Sequence, residues 1–273
     1  MINEDKSPVA PSSSCNLIPS PFIGYLPVEI IRWREAVFAC KIKRWELAMI
    51  ENIEDGVRTV TLRRNPMNTL DLDAVDRLSA LFENHPSDLP LVLEGSEGVF
   101  SAGVDAKQFI GYDRAQRIEM ARAITRMTGH LLRIPAPVVA AISGHALGGG
   151  FVLALCCDFR IATNAERAKF GLFEAKAGIA FPDGPPHIVQ SELPPTLLRQ
   201  LTLSSRSVSA EELMRHGVFD ETADPDHVTA LARDRARELA GQPGYRAVKA
   251  QMRGALAARV NQFANEGCES AFA

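Results

Sequence analysis

The sequence predicts an α/β fold, because short apolar stretches alternate along the chain with stretches of helical periodicity. Residues 89–95 and 137–144 are apolar and are bounded by Pro or Gly, as buried strands are. Residues 72–84 and 113–134 repeat apolar side chains every three or four positions, which is typical of helices with one buried face. This alternation favours a sheet covered by helices.

The ends of the chain differ from this central pattern. A hairpin-like strand pattern starts at Met49, and the last third is predicted to be helical, with capping-box spacing at Ser209 and Glu212. Residues 1–48 are rich in Pro and Ser, which predicts a disordered or loosely attached extension. The alternative is an amphipathic arm in which Trp33 and Trp45 pack on a neighbour.

Composition excludes several classes of protein. The 273 residues carry a net charge of -3 and no dense Lys/Arg cluster, which argues against nucleic-acid binding. No apolar run reaches the roughly 18 residues that a membrane span needs. The five cysteines form no C-x-x-C pair, so we expect a reducing, cytoplasmic setting without membrane partners.

Two segments carry features of a chemical site. Residues 99–109, VFSAGVDAKQF, contain small residues that let the backbone approach a ligand. Residues 143–159, SGHALGGGFVLALCCDF, place three glycines between a predicted strand and an apolar helix. Unpaired N–H groups at such a helix start attract an anion. Taken alone, the glycines are equally consistent with a tight turn.

Together, the two segments resemble the crotonase (enoyl-CoA hydratase/isomerase) superfamily. The resemblance runs from about Met49 to the C-terminal helices and includes residues 165–184, AERAKFGLFEAKAGIAFPDG. It implies a crotonase-like spiral of repeated β-β-α units over residues 49–200. It further implies a helical oligomerisation region over residues 201–273, and homotrimers or homohexamers.

The resemblance also implies an acyl-CoA thioester substrate and no separate cofactor, because coenzyme A is part of the substrate. The family stabilises a thioester enolate with two backbone N–H groups, which correspond here to Val104 and Gly149. The other positions that the resemblance assigns to substrate binding are Ala102, Gly103, Asp105, Lys107, Gly148 and Val152.

The acid–base residues indicate which reaction to expect. The resemblance implies that a hydratase of this family uses two catalytic glutamates. The first of them corresponds here to Val152, which cannot move a proton. The second corresponds to Glu174. An aliphatic residue at 152 and the Gly-Leu-x-Glu of residues 171–174 resemble the 3,2-enoyl-CoA isomerases of fatty acid metabolism, in which one glutamate moves a proton from C2 to C4.

Several alternatives stay open at this stage. Asp183 is a second candidate acid, although Pro-Asp-Gly is also a common turn. His145 and Asp158 are expected to support the backbone, and His187 to lie in a loop. The competing functions are a hydratase, a thioesterase, a decarboxylase, and a non-catalytic acyl-CoA-binding or scaffold protein.

Overall fold

The computed structural model describes residues 49–64, 66–96 and 98–266, so the predicted N-terminal extension lies outside the described residues. The strands are β1 (Met49–Glu54), β2 (Val57–Leu62), β3 (Leu91–Glu94), β4 (Val99–Ser101), β5 (Val138–Ile142), β6 (His145–Leu147), β7 (Phe159–Thr163), β8 (Phe170–Gly171) and β9 (Glu221–Ala223). The helices are α1 (Leu72–Glu83), α2 (Ala106–Gly111), α3 (Arg114–Arg133), α4 (Gly149–Cys156), α5 (Glu174–Ala177), α6 (Pro185–Glu192), α7 (Pro195–Leu203), α8 (Ala210–Arg215), α9 (Val228–Ala240) and α10 (Tyr245–Glu266).

The strands form two sheets that the chain visits in alternation. The larger sheet has the order β1-β2-β3-β5-β7-β9, and only the β1–β2 hairpin is antiparallel. The smaller sheet has the order β4-β6-β8 and is parallel. Each larger-sheet strand from β3 to β7 is followed by a smaller-sheet strand and then by a helix. This repetition confirms the predicted β-β-α arrangement.

Apolar side chains cover both faces of the larger sheet, which explains its nearly continuous apolar strands. On one face, Val92, Val139 and Ile161 pack with Val228 and Ala232 of α9. The other face belongs to the main core, which includes α1, α3 and α4. Within this core, four fully buried phenylalanines lie near the smaller sheet, namely Phe100, Phe151, Phe170 and Phe219.

Two helices predicted from the sequence, α1 and α8, begin at side-chain caps. Asp71 caps α1 by accepting from the Ala74 N–H at 3.0 Å, and Ser209 caps α8 through the Glu212 N–H at 3.3 Å. The prediction that His187 lies in a loop was wrong. It lies in α6, where two prolines occupy the first turn, and a missing N–H costs nothing there.

The described helices include none that is both long enough and apolar enough to cross a bilayer. The predicted boundary at residue 200 falls within α7. The division between core and C-terminal region stays a prediction.

Candidate active site

Three turns meet at one edge of the smaller sheet, because parallel neighbouring strands end on the same side. Residues 102–105 follow β4, residues 148–149 follow β6, and residues 172–174 follow β8. The two segments singled out in the sequence therefore lie beside the segment that carries Glu174.

The first two turns bring the backbone N–H groups of Val104 and Gly149 together. Gly103 and Gly148 have left-handed φ angles of 78° and 52°, which glycine adopts without strain. A methyl group built on Gly103 would come within 2.7 Å of the Gly149 nitrogen, and one built on Gly149 within 3.8 Å of the Val104 nitrogen. A side chain at 103 would therefore collide with the Gly149 amide, so this close approach requires a glycine at 103.

Both amides are available to a ligand. Within the described part of the chain, neither the Val104 N–H nor the Gly149 N–H donates to a backbone acceptor. Gly149 opens α4, where a helix N–H has no acceptor inside the helix, and no side chain caps this helix start. The pair can thus donate two hydrogen bonds to one oxygen that carries negative charge.

The carbonyl groups of the same two peptides are held in place. The Gly103 oxygen accepts from the Leu70 N–H at 2.8 Å, and the Gly148 oxygen accepts from the Phe151 N–H at 2.9 Å. Leu70 also accepts from the Asp105 N–H at 3.0 Å. Because a peptide is planar, fixing its carbonyl also fixes the direction of its N–H.

Glu174 begins α5, three residues after β8 ends its pairing with β6. The Gly148 N–H donates to the Gly171 oxygen at 2.8 Å, which joins the Glu174 segment directly to the glycine turn. A methyl group built on Gly148 would lie 3.4 Å from Glu174 Oε1. The carboxylate therefore borders the pair of open amides.

The environment of Glu174 makes it a base suited to neutral pH. Its Oε2 is buried and has no hydrogen-bond partner among the described residues. Burial raises the pKa of Glu174 to about 7, against the opposing effect of hydrogen bonds from the backbone N–H groups of Glu174 and Phe173. A buried carboxylate with such a pKa is typical of acid–base catalysis.

Comparison with known proteins shows the family of this chain. The pattern of the enoyl-CoA hydratase/isomerase family matches residues 52–268. The chain belongs to this family. It is similar to carnitinyl-CoA dehydratase of Salmonella enteritidis, with 32% identity over 184 residues, 66% of this chain and 69% of that protein.

Solved structures of the family have the same fold. An enoyl-CoA isomerase of Mycobacterium tuberculosis aligns with a TM-score of 0.73 and 26% identity, over 81% of this chain and 98% of that one. DspI of Pseudomonas aeruginosa aligns with a TM-score of 0.72 and 29% identity, over 80% and 91% of the two chains.

Val152 is the residue that the sequence resemblance assigns to the first glutamate of the two-carboxylate members, and this assignment stays a prediction. It lies in the first turn of α4 and is 2% exposed. The partly buried Val104, Ile179 and Phe181 pack against the same core. Its role as an apolar wall of the substrate pocket stays a prediction.

Asp183 lies in a loop that packs on helices α3 and α10. A methyl group on the next residue, Gly184, would meet Thr125 at 2.7 Å and Val260 at 3.1 Å. Burial and the nearby Arg259 lower the pKa of the His187 imidazole. Asp183 opposes this shift without reversing it. The role of Asp183 as a second acid stays a prediction.

Asp105 and Lys107 start helix α2 beside the Val104 amide. Asp105 is the N-cap, and its carboxylate accepts from the N–H groups of Lys107 and Gln108, both at 3.1 Å. The Lys107 side chain is exposed. The predicted contacts of these residues and of Ala102 with coenzyme A stay predictions.

His145 and Asp158 have the supporting roles expected of them. His145 Nδ1 accepts from the Lys169 N–H at 3.1 Å, and Asp158 accepts from the Val138 N–H at 2.8 Å. No group of three or more His, Cys, Asp or Glu side chains among the described residues could hold a metal ion.

The segment of residues 67–70 was not predicted from the sequence to support the site. Its backbone forms hydrogen bonds with the loop that carries Val104. Besides the Leu70 contacts, the Met67 oxygen accepts from the Ala102 N–H at 2.9 Å. The available signal was the stretch NPMNTL, residues 65–70, which resembles the family but offers no chemically active side chain.

Proposed function

We propose that this protein is a 3,2-enoyl-CoA isomerase in which Glu174 is the single proton carrier. The observation that carries the proposal is a buried carboxylate of raised pKa beside two open amides. Val152, at the position where the resemblance puts the first glutamate of the hydratases, is apolar and buried.

The reaction consists of two proton transfers. Glu174 removes a proton from C2 of the 3-enoyl thioester, and the electron pair of that C–H bond moves towards the thioester oxygen. The amides of Val104 and Gly149 stabilise the resulting enolate, and one such donor is typically worth about 3 kcal/mol. Glu174 then returns the proton at C4, so the double bond moves to C2–C3 and the thioester re-forms.

Val152 favours proton return over the addition of water. Hydration requires a water molecule that is held and split, and the family uses two carboxylates for this. A buried valine offers no hydrogen bond to such a water. The enolate intermediate is therefore left with one partner, the protonated Glu174.

The relatives support both this proposal and one alternative. The M. tuberculosis neighbour is described as an enoyl-CoA isomerase in one solved structure and as a probable enoyl-CoA hydratase in another. The Salmonella relative is described as a carnitinyl-CoA dehydratase, which favours a hydratase-type reaction as the second candidate. That reaction would require a second acid, and Asp183 is the residue to supply it.

The proposed setting is fatty acid oxidation in the cytoplasm, with the protein as a homotrimer or homohexamer. A light-scattering mass equal to one chain at micromolar concentration would rule out both assemblies.

Ultraviolet absorbance during incubation with a 3-enoyl-CoA tests the isomerase, because only isomerisation brings the double bond into conjugation with the thioester. We expect absorbance to rise with the wild-type chain. Glu174→Gln should lower this turnover by roughly 10²–10⁴-fold, the usual contribution of a general base. Near-full turnover by Glu174→Gln would refute the assignment.

Val152→Glu tests the same proposal by gain of function. If the geometry matches that of the two-carboxylate enzymes, this variant should acquire hydratase activity on a 2-enoyl-CoA that the wild type lacks. Val152→Leu is the matched control, since it changes the size of the side chain without adding a carboxylate.

A further inference from the structure

We infer that Ser101 and Asn68 are positioning residues that hold the two amides of Val104 and Gly149 in register. This inference rests on the proposed function only in so far as those amides bind a thioester oxygen. Both side chains act through the backbone.

Asn68 is locked to the strand that leads into the site. It is 1% exposed and has a left-handed φ of 48°, a conformation that asparagine tolerates better than most residues. Its amide donates to the Val99 oxygen at 2.7 Å and to the Ser96 oxygen at 3.3 Å. Its Oδ1 accepts from the Ser96 hydroxyl at 3.2 Å.

Ser101 connects Asn68 to the loop that carries the first amide. It is the last residue of β4 and is fully buried. Its hydroxyl donates to the Asn68 backbone oxygen at 2.8 Å and accepts from the Gly103 N–H at 3.1 Å. One hydroxyl therefore satisfies a backbone group on each side of the loop.

The hydrogen bonds of this loop leave the Val104 N–H open while its neighbours are held. In residues 102–105, the Ala102, Gly103 and Asp105 N–H groups all donate to protein acceptors. The Gly103 oxygen, which belongs to the same peptide as the Val104 N–H, accepts from Leu70. Hydrogen bonding at that carbonyl polarises the peptide and strengthens its N–H as a donor.

Ser101 also touches the turn that carries the second amide. A methyl group built on Gly150 would come within 2.3 Å of the Ser101 oxygen and 2.7 Å of the Ser101 Cβ. The start of α4 thus rests directly on Ser101. A shift at this residue changes the distance between the Val104 and Gly149 amides, which must act on one oxygen.

The infrared carbonyl stretch of bound butyryl-CoA, labelled with ¹³C at the thioester carbon, measures this alignment. Butyryl-CoA is saturated, so it reports on the amides without being isomerised or hydrated. Two open donors should shift the stretch of the wild-type complex to lower frequency than in water. Ser101→Ala and Asn68→Gly should each lose a measurable part of this shift.

The kinetic readout separates positioning from folding. We expect Ser101→Ala to lower kcat for 3-enoyl-CoA by roughly tenfold with little change in KM, because misalignment of the donors weakens their stabilisation of the enolate more than their binding of the ground state. Asn68→Gly tolerates the left-handed backbone and removes only the side-chain bonds. The double variant should lose less than the product of the two single effects, since both act on one loop.

Ser79→Ala is the matched control. It removes another buried hydroxyl, which bonds to His130 Nδ1 at 3.1 Å and lies on α1, outside the oxyanion loop. It should lower the melting temperature and leave the carbonyl shift and kcat unchanged. If Ser101→Ala and Asn68→Gly behave as this control does, the inference is overturned.

Wild-type results distinguish failure of the inference from failure of the proposed function. A carbonyl shift that the two variants reduce, without any turnover of 3-enoyl-CoA, supports the inference and refutes the isomerase. No shift in the wild-type complex would overturn the oxyanion site and the positioning inference with it.

Discussion

The two ends of helix α4 differ in whether the protein satisfies their backbone hydrogen-bonding groups. At its first residue, Gly149, the backbone N–H is open and uncapped. At its other end, the oxygens of Leu155 and Cys157 accept from two guanidinium groups, those of Arg160 and Arg253, at 2.9–3.4 Å. One end is left for a ligand, and the other is saturated by the protein.

The saturated end is a largely buried cluster of five charged side chains, each 6–17% exposed. Asp158 accepts from Lys249 at 2.5 Å and from Arg253 at 2.9 Å, and Glu192 pairs with Arg160 and Arg253 at 3.3 and 3.1 Å. Lys249 and Arg253 belong to α10, so this cluster attaches the C-terminal helix to the end of α4.

This difference explains how the fold keeps an open amide at one end of α4 while the helix itself stays fixed. Cations at the C-terminal end complement the helix dipole and fix that end. Every residue of α4 after Gly149 is buried, so the helix cannot shift alone. The N-terminal end then presents its partial positive charge to a substrate oxygen in a fixed place.

Asp158→Ala should have the largest effect on stability. It leaves Lys249 without its carboxylate partner and Arg253 with Glu192 alone, and breaking a buried pair typically costs about 3–5 kcal/mol. Chemical denaturation measures the loss. Asp234→Ala, which breaks the exposed pair with Arg237, is the control and should cost less than about 1 kcal/mol. Equal losses would contradict the contrast between the two helix ends.

Gly103→Ala should have the next largest effect, at the open end. Its methyl group would fall 2.7 Å from the Gly149 nitrogen, so we expect kcat to fall by about 10²–10³-fold, as when an oxyanion donor is removed. Gly56→Ala has the same left-handed strain, with φ of 74°, but meets no atom within 4 Å. Assays of both variants separate backbone strain from occlusion of the amide, because Gly56→Ala should keep full activity.

The pH dependence follows from Glu174. Because its pKa is about 7, kcat/KM should rise with pH and reach half its plateau near pH 7. The folded-state pKa is raised, so ionisation of Glu174 costs stability as the pH rises from about 4.5 through 7. Glu174→Gln should therefore stabilise the fold at pH 8, by at most about 3 kcal/mol, and not at pH 4. Melting curves at both pH values check this sign.

Asp183→Asn should have the smallest effect. If Glu174 alone moves the proton, turnover should fall by less than about tenfold, below the range of a general base. Steady-state kinetics on a 3-enoyl-CoA decide this. A loss as large as that of Glu174→Gln would make the site a two-acid site and favour the dehydratase-type alternative.

The sequence predicted the open end of α4 better than the saturated one. Gly149 and Val104 lie in local motifs whose residue types reveal a backbone site, and Glu174 follows the same family pattern. The partners of Asp158 are Lys249 and Arg253, roughly ninety residues away. Such distant ion pairs depend on how α10 packs, which local periodicity does not encode.

Asn68 and Ser101 show the same limit at the site itself. Each is a common polar residue whose hydrogen bonds join segments 31 to 33 positions apart, from the Ser101 hydroxyl to the Asn68 oxygen and from the Asn68 amide to the Val99 oxygen. The left-handed φ of Asn68 is also invisible in the sequence, because asparagine occurs in many other conformations.

Product analysis in water enriched in ¹⁸O tests the central claim, that one carboxylate beside two open amides isomerises rather than hydrates. The wild-type chain is incubated separately with a 3-enoyl-CoA and with the matching 2-enoyl-CoA. The molecular masses of the products are then measured by mass spectrometry. We expect a conjugated product of unchanged mass from the first substrate and no ¹⁸O incorporation into either. A product from either substrate that has gained one molecule of labelled water would contradict it.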